Sequence, residues 1–139
     1  MVERRVVVDH VVLVVGDLAA STRFYDAVLA TLDFSRLSTG DVEGASYGVP
    51  GVDDFAIVPA GEVPPTTTAH VAFVAESREA VEAFHAAALA NGGTDRAGPR
   101  IRDEYSSGYY GAYVNDPDGN NIEAVFHGDA PSHKGIQPR

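Results

Sequence analysis

The chain has 139 residues, which is enough for one domain, or for two small fused halves, with a hydrophobic core. Its formal net charge of -10 argues against nucleic acid as a partner, because phosphate binding requires clustered Lys and Arg and the ten basic residues are scattered. There is no cysteine, which excludes disulfides and thiolate metal sites, and no apolar run of about eighteen residues that would span a membrane, so we predict a cytoplasmic protein.

The first half of the chain begins with a β-branched run, residues 6–15, which predicts a strand that carries His10. Apolar residues at helical spacing follow over residues 18–32, with Asp17 or Ser21 as the candidate N-cap. Three shorter strand-like runs complete this half: FSRL, EGASYGV and DDFAIVP. The predicted order is therefore strand, helix, strand, strand, strand.

The second half repeats this order. A strand-like run at residues 69–75 carries His70, Ser77 is a natural helix N-cap, and Asn91-Gly92-Gly93 is typical of a helix end. The runs DRAGPRIR, GYYGAYV and NNIEAVFH then predict three more strands.

The two halves are similar to each other in sequence as well as in pattern. Residues 9–30 align without a gap with residues 69–90 at an offset of sixty, and His10 falls opposite His70. Self-similarity at a fixed offset marks a duplicated supersecondary unit. We therefore predict one structural domain made of a first module (1–63), a linker (64–68), a second module (69–127) and a polar C-terminal tail (128–139).

Glu123 is a carboxylate in the middle of the apolar run at the end of the second module. If both faces of that strand are covered, the carboxylate needs a cation or strong donors, because a bare buried charge costs several kcal/mol. His10 and His70 could complete a site of two imidazoles and one carboxylate, which suits Fe(II), Mn(II), Zn(II) or Ni(II). The alternatives are two inherited structural histidines and a Glu123 on a solvated edge.

The residues that carry this pattern also carry a family resemblance. The segments DHVVLVVGDLAASTRFYDAVL, AHVAFVA and DPDGNNIEAV resemble the vicinal oxygen chelate superfamily, which includes glyoxalase I, extradiol dioxygenases, fosfomycin resistance enzymes and bleomycin-binding proteins. The resemblance covers residues 6–127 and implies an α+β fold, in which two βαβββ modules form a half-barrel mixed sheet with the helices outside. It also implies a homodimer whose subunits complete the sites together, with a divalent metal ion held by His10, His70 and Glu123.

The resemblance implies roles for further residues. Glyoxalase I has a fourth ligand, a glutamate, on the last strand of its first module, and the corresponding run FAIVP has none, which favours a three-ligand site. Tyr113 matches the tyrosine that extradiol dioxygenases place ten residues before the last ligand, and Glu104 stands where they carry an acid-base histidine. Tyr113 and Glu104 are therefore our catalytic candidates. Asp103 lies where the fosfomycin enzymes have a phosphonate-binding lysine, which argues against that branch.

A substrate pocket usually combines apolar walls with a few polar groups. The chain offers several aromatic side chains for such walls, and an arginine that could bind an anionic substrate, although a solvated arginine is an equally ordinary interpretation. Our candidate substrate-binding residues are Tyr47, Phe55, Arg102, Tyr105 and Tyr110.

Two functions remain open from the sequence. The first is a metal-dependent enzyme that acts on a small substrate with vicinal oxygens, by lyase or isomerase chemistry or by dioxygen-dependent ring cleavage. The second is a metal-free protein of the bleomycin resistance type that sequesters a drug or another aromatic ligand.

Overall fold

The computed structural model describes residues 6–37 and 43–128. The first module contains β1 (Val11–Val15), α1 (Leu18–Ala30), β2 (Ser35–Leu37), β3 (Ala45–Val49) and β4 (Val52–Pro59). The second contains β5 (His70–Val74), α2 (Arg78–Ala90), β6 (Thr94–Ile101), β7 (Tyr110–Asn115) and β8 (Asn121–Phe126). The predicted α+β fold of two βαβββ modules is confirmed. Residues 64–68 lie in the loop between β4 and β5, and the predicted tail after Gly128 lies outside the described residues.

Each module forms its own four-stranded mixed sheet, with strand orders β1-β4-β3-β2 and β5-β8-β7-β6. In each module the first strand pairs in parallel with the last, and the other neighbours are antiparallel. The duplication seen in the sequence is thus a duplication of topology. Neither described helix is long and apolar enough to cross a membrane.

Both helices begin at a side-chain cap. The carboxylate of Asp17 accepts a hydrogen bond from the backbone N–H of Ala20 at 3.1 Å, and the hydroxyl of Ser77 accepts one from Ala80 at 3.1 Å. Of the two candidate caps for α1, Asp17 is therefore the one used, and Ser21 lies buried inside the helix.

The core lies on the helix-facing side of each sheet. In β1, Leu13 and Val15 are buried whereas Val12 is 47% exposed, as strand alternation requires. The rings of Phe55 and Phe73 lie 5.2 Å apart, so the aromatic core joins the two modules. The helix-free face of each sheet is left for other contacts.

A buried polar network adds a second link between the modules. The phenol of Tyr25 on α1 donates a hydrogen bond to Asp116 at 2.6 Å, and Asp116 also accepts one from the backbone N–H of Asn120 at 2.9 Å. The Asn120 side chain in turn donates to the carbonyl of Thr66 at 2.7 Å and accepts from the N–H of Ala69 at 2.9 Å. The turn between β7 and β8 therefore holds both α1 and the loop that joins the modules.

We expect Tyr25→Phe to lower the free energy of unfolding by about 1–3 kcal/mol, because the buried carboxyl of Asp116 loses a donor while the ring packing is kept. Tyr110→Phe is the matched control, since its phenol donates to the exposed side chain of Glu82, and we expect it to cost less than about 0.5 kcal/mol. Urea denaturation measures both. Equal losses in the two variants would contradict the role of the buried network.

Candidate active site

The helix-free face of the second sheet collects polar side chains from three strands. Glu123 on β8 is paired in register with Ala72 on β5 and with Tyr113 on β7. His70 lies two residues before Ala72, so alternation places His70, Tyr113 and Glu123 on one face. Ile122 and Ala124 are fully buried on the opposite face, against the helix side. The apolar neighbours of Glu123 thus fix the face on which its carboxylate lies.

The Glu123 carboxylate is 1% exposed and has a partner at each oxygen. Nε2 of His70 lies 2.8 Å from Oε1, and the phenol of Tyr109 donates a hydrogen bond to Oε2. The imidazole of His70 is itself 54% exposed, so the pair lies at the border between the sheet and solvent. Two donors therefore compensate the buried charge, and one of them is the predicted histidine.

Tyr109 is the residue of this cluster that the sequence analysis did not select. It immediately precedes β7, and it shares odd-numbered parity with Gly111 and Tyr113, so alternation would have placed it on the face of Tyr113. A Cβ on Gly111 would lie 3.0 Å from Cε1 of Tyr109 and 3.5 Å from Oε2 of Glu123, so the missing side chain gives the tyrosine its room. The odd-numbered position of Tyr109 was therefore a usable sequence signal for the face on which it lies.

Tyr109 and Tyr113 also interact electrostatically. Burial, followed by the hydrogen bond to Glu123, raises the pKa of the Tyr109 phenol far above its ordinary value. Burial and the charge of Glu123 also raise the pKa of Tyr113, although the charge of Arg102 opposes that shift. Both phenols are therefore protonated at neutral pH and able to donate hydrogen bonds.

Arg102 is a buried cation beside this cluster. It is 4% exposed, and its guanidinium carbon lies 4.7 Å from the centroid of the Tyr113 ring. The guanidinium donates to the carbonyls of Gly98 at 2.8 Å and Gly111 at 3.3 Å, and within the described ranges no carboxylate lies at ion-pair distance from it. Arg102 therefore contributes an uncompensated positive charge beneath Tyr113.

His10 lies apart from the cluster. It stands one residue before β1, on the first sheet, where its exposed imidazole lies 2.7 Å from the carboxylate of Asp9. That hydrogen bond raises the pKa of His10. No group of three His, Asp or Glu side chains able to hold a metal ion occurs in the part of the protomer that the structure describes. One protomer therefore brings together His70 and Glu123, but not the third predicted ligand.

The first module lacks a counterpart of Glu123. Val12 pairs with Ala56 as Ala72 pairs with Glu123, so Ala56 occupies the equivalent register position. An alanine cannot supply a ligand, which agrees with the expectation of no glutamate on this strand.

Glu104, the predicted base, is exposed and pairs with Arg100 at 3.1 Å. A backbone hydrogen bond, followed by that of Arg100, lowers the pKa of its carboxyl, which weakens it as a base. No hydrogen bond or ion pair in the described ranges joins Glu104 to His70 or Glu123. The structure therefore gives Glu104 a surface ion pair and no place in the cluster.

The structure also separates the five predicted substrate-binding residues. Tyr47 and Phe55 are buried on the helix-facing side of the first sheet, where the Tyr47 phenol donates to Asp26, so both belong to the core. Tyr110 faces α2 and donates to Glu82. Arg102 and Tyr105 lie beside the cluster, the ring of exposed Tyr105 being 5.2 Å from that of Tyr109.

We expect Arg102→Met to lower the free energy of unfolding by about 1–3 kcal/mol, because the buried carbonyl of Gly111 and the carbonyl of Gly98 lose their donor and Tyr113 loses the guanidinium against its ring. Arg100→Met, which removes an exposed ion pair and an exposed hydrogen bond to the carbonyl of Ile101, should change stability by less than about 0.5 kcal/mol. Both values come from urea denaturation. An Arg102→Met protein as stable as Arg100→Met would show that the guanidinium does not hold this face together.

Comparison with known proteins places these features in a family. The family model described as Glyoxalase/Bleomycin resistance protein/Dioxygenase superfamily matches residues 7–124. The crystal structure of a glyoxalase/bleomycin resistance protein from Albidiferax ferrireducens T118 is 37% identical, with a TM-score of 0.74, and the match covers 85% of this chain and 97% of that one.

More distant structures share the fold alone. A glyoxalase-related enzyme from Fulvimarina pelagi is 23% identical with a TM-score of 0.61, over 86% of each chain. A glyoxalase/bleomycin resistance protein/dioxygenase family enzyme from Burkholderia phytofirmans PsJN is 16% identical with a TM-score of 0.61, over 86% of this chain and 97% of that one. No protein of curated function matches the sequence.

Proposed function

The chain belongs to the glyoxalase/bleomycin resistance protein/dioxygenase superfamily, and on that premise we propose that it is a divalent-metal-dependent enzyme that acts on a small substrate with vicinal oxygens. The observation that carries the proposal is the pair of His70 and Glu123, whose Nε2 and Oε1 lie 2.8 Å apart at the edge of the helix-free face. Superfamily membership by itself is compatible with more than one activity, so the argument rests on these side chains.

The donor set fits a metal ion. Two ligand atoms that lie about 2.1 Å from the same ion, at a right angle, are about 3 Å from each other, which is close to the separation in this pair. The ion would take the place of the hydrogen bond between His70 and Glu123. Imidazole and carboxylate together suit Fe, Mn, Zn or Ni.

We propose that the third ligand comes from a homodimer, as His10 of the partner subunit. Val8 and Val12 lie two residues before and two residues after His10, and both are exposed apolar side chains. A second copy that covered this strip would bury the valines and bring the partner's His10 to the open face of the second sheet. A second copy of the chain would therefore both cover the apolar strip and supply the missing ligand.

A divalent ion would supply Lewis-acid stabilisation of the negative charge that develops on substrate oxygens. The chain's own groups orient the substrate beside it. The phenol of Tyr113 would donate a hydrogen bond to a substrate oxygen, and the buried charge of Arg102 beneath the ring would favour an anionic oxygen such as an enolate or catecholate. Tyr105 would form part of the pocket wall. We assign no base in the protomer, because Glu104 is held by Arg100.

The alternative function is a metal-free protein that sequesters an aromatic ligand. One observation favours it: in the described protomer, His70, Glu123 and Tyr109 already form a complete hydrogen-bonded set that needs no ion. The rings of Tyr105, Tyr109 and Tyr113 would then stack against the ligand.

Metal analysis of protein purified without chelator separates the two functions. We expect one ion per protomer in the wild type and its loss in His70→Ala, which removes one of the two paired ligands. His85→Ala is the control, because His85 pairs with Asp95 away from the cluster, and this variant should keep the ion. A metal-free wild type that binds aromatic compounds would establish the sequestering function instead.

Heterodimers of His10→Ala with His70→Ala test the shared site. Each variant alone should lose the ion, whereas a heterodimer isolated through two affinity tags should hold one, because one of its two sites then contains neither substitution. The measurement is metal content per heterodimer. If the heterodimer stays metal-free although the wild type binds metal, the ligands do not come from two subunits.

A further inference from the structure

The two oxygens of the Glu123 carboxylate have different partners. Oε1 lies against the imidazole of His70, at the border with solvent, whereas Oε2 accepts the hydrogen bond of the Tyr109 phenol. A carboxylate ligand can bind a metal ion through one oxygen or through both, and outer hydrogen bonds decide between these modes. The Tyr109 phenol is hydrogen-bonded to Oε2, the oxygen that would also have to bind the ion in the two-oxygen mode.

We propose that Tyr109 is a positioning residue that makes Glu123 bind a divalent ion through Oε1 alone. This inference rests on the proposed metal-dependent function and deepens it. A carboxylate that uses one oxygen takes one coordination position on the ion instead of two. The position thereby left free is available to the second oxygen of a substrate with vicinal oxygens, which is the feature that such a site requires.

The surroundings of Tyr109 hold the phenol in place. Its ring is in edge contact with Tyr105 at 5.2 Å and with His127 at 5.4 Å between ring centroids. On the strand side, Gly111 leaves only the space that the ring fills, since a Cβ there would lie 3.0 Å from Cε1. The hydroxyl is therefore directed at Oε2 before any ion binds, and little ordering is left to be done on binding.

A purely structural role for Tyr109 makes a different prediction. Phenylalanine at this position keeps the ring and both edge contacts, so a packing role would leave the metal site unchanged. Loss of the hydroxyl removes the hydrogen bond to Glu123. Tyr109→Phe therefore isolates the proposed function of the phenol from the packing of the ring.

The experiment measures Co²⁺ binding to the full-length wild type, to Tyr109→Phe and to Tyr110→Phe. We expect Tyr109→Phe to bind Co²⁺ about 10- to 100-fold more weakly, the usual effect of removing an outer hydrogen bond from a metal ligand. We also expect weaker visible d–d absorption bands, because a two-oxygen carboxylate raises the coordination number. Tyr110→Phe is the matched control: it is the next residue of the chain, but its phenol faces α2 and donates to Glu82, so affinity and spectrum should equal those of the wild type.

The outcomes separate this inference from the proposed function. A wild type that binds no Co²⁺ overturns both. A wild type that binds Co²⁺, with Tyr109→Phe equal to it in affinity and spectrum, overturns the positioning role and leaves the metal-dependent function standing. If circular dichroism shows that Tyr109→Phe does not fold, Gly111→Ala decides, since its Cβ would lie 3.0 Å from Cε1 of Tyr109, push the ring away from its position, and should change the Co²⁺ spectrum in the same direction. An unchanged spectrum in Gly111→Ala would then overturn the role.

Discussion

The burial of one carboxylate, Glu123, is the constraint around which the second module is organised. Its charge is tolerated because His70 and Tyr109 each reach one of its oxygens. A register shift of the strand cannot move the carboxylate to the other face, because a slip of one residue would turn Ile122 and Ala124 away from the core. The packing of the apolar neighbours thus places the charge of Glu123 on the opposite face, and the polar cluster forms around the carboxylate there.

The duplicated modules have diverged into complementary faces. In the second sheet the helix-free face carries His70, Tyr113 and Glu123, whereas the equivalent of Glu123 in the first sheet is Ala56. The first sheet instead exposes Val12 on that side. One module therefore offers polar groups and the other an apolar surface with a histidine beside it. A gene duplication followed by such specialisation accounts for both the sequence repeat and the asymmetry of the site.

The sequence predicted the fold well because the repeat, the helix caps and the strand runs all agreed. It predicted that His10, His70 and Glu123 share a metal ion, and the structure brings the last two of these residues together. It did not distinguish the aromatic residues that line a site from those that fill the core. Alternation groups Tyr47 with neighbours on its own strand, but which group faces the helix is decided by the packing of α1. Arg102 was selected as a candidate from the sequence, but its face could not be read from alternation, because it follows β6, a strand with register shifts on both sides of Ala97.

The charge distribution bears on which substrate the cluster favours. The chain as a whole is acidic, with a net charge of -10, and would repel an anion at long range. At physiological salt, however, charges separated by more than about 8 Å are largely screened, so the nearest charges dominate once a ligand is bound. Arg102 lies 4.7 Å from the Tyr113 ring and has no carboxylate at ion-pair distance in the described ranges, while the charge of Glu123 is shared with two donors. Under the proposed metal-dependent function, the guanidinium would favour an anionic substrate oxygen beside Tyr113. The carboxylate of Glu123 also acts on Tyr113 and opposes this preference until a metal ion balances its charge.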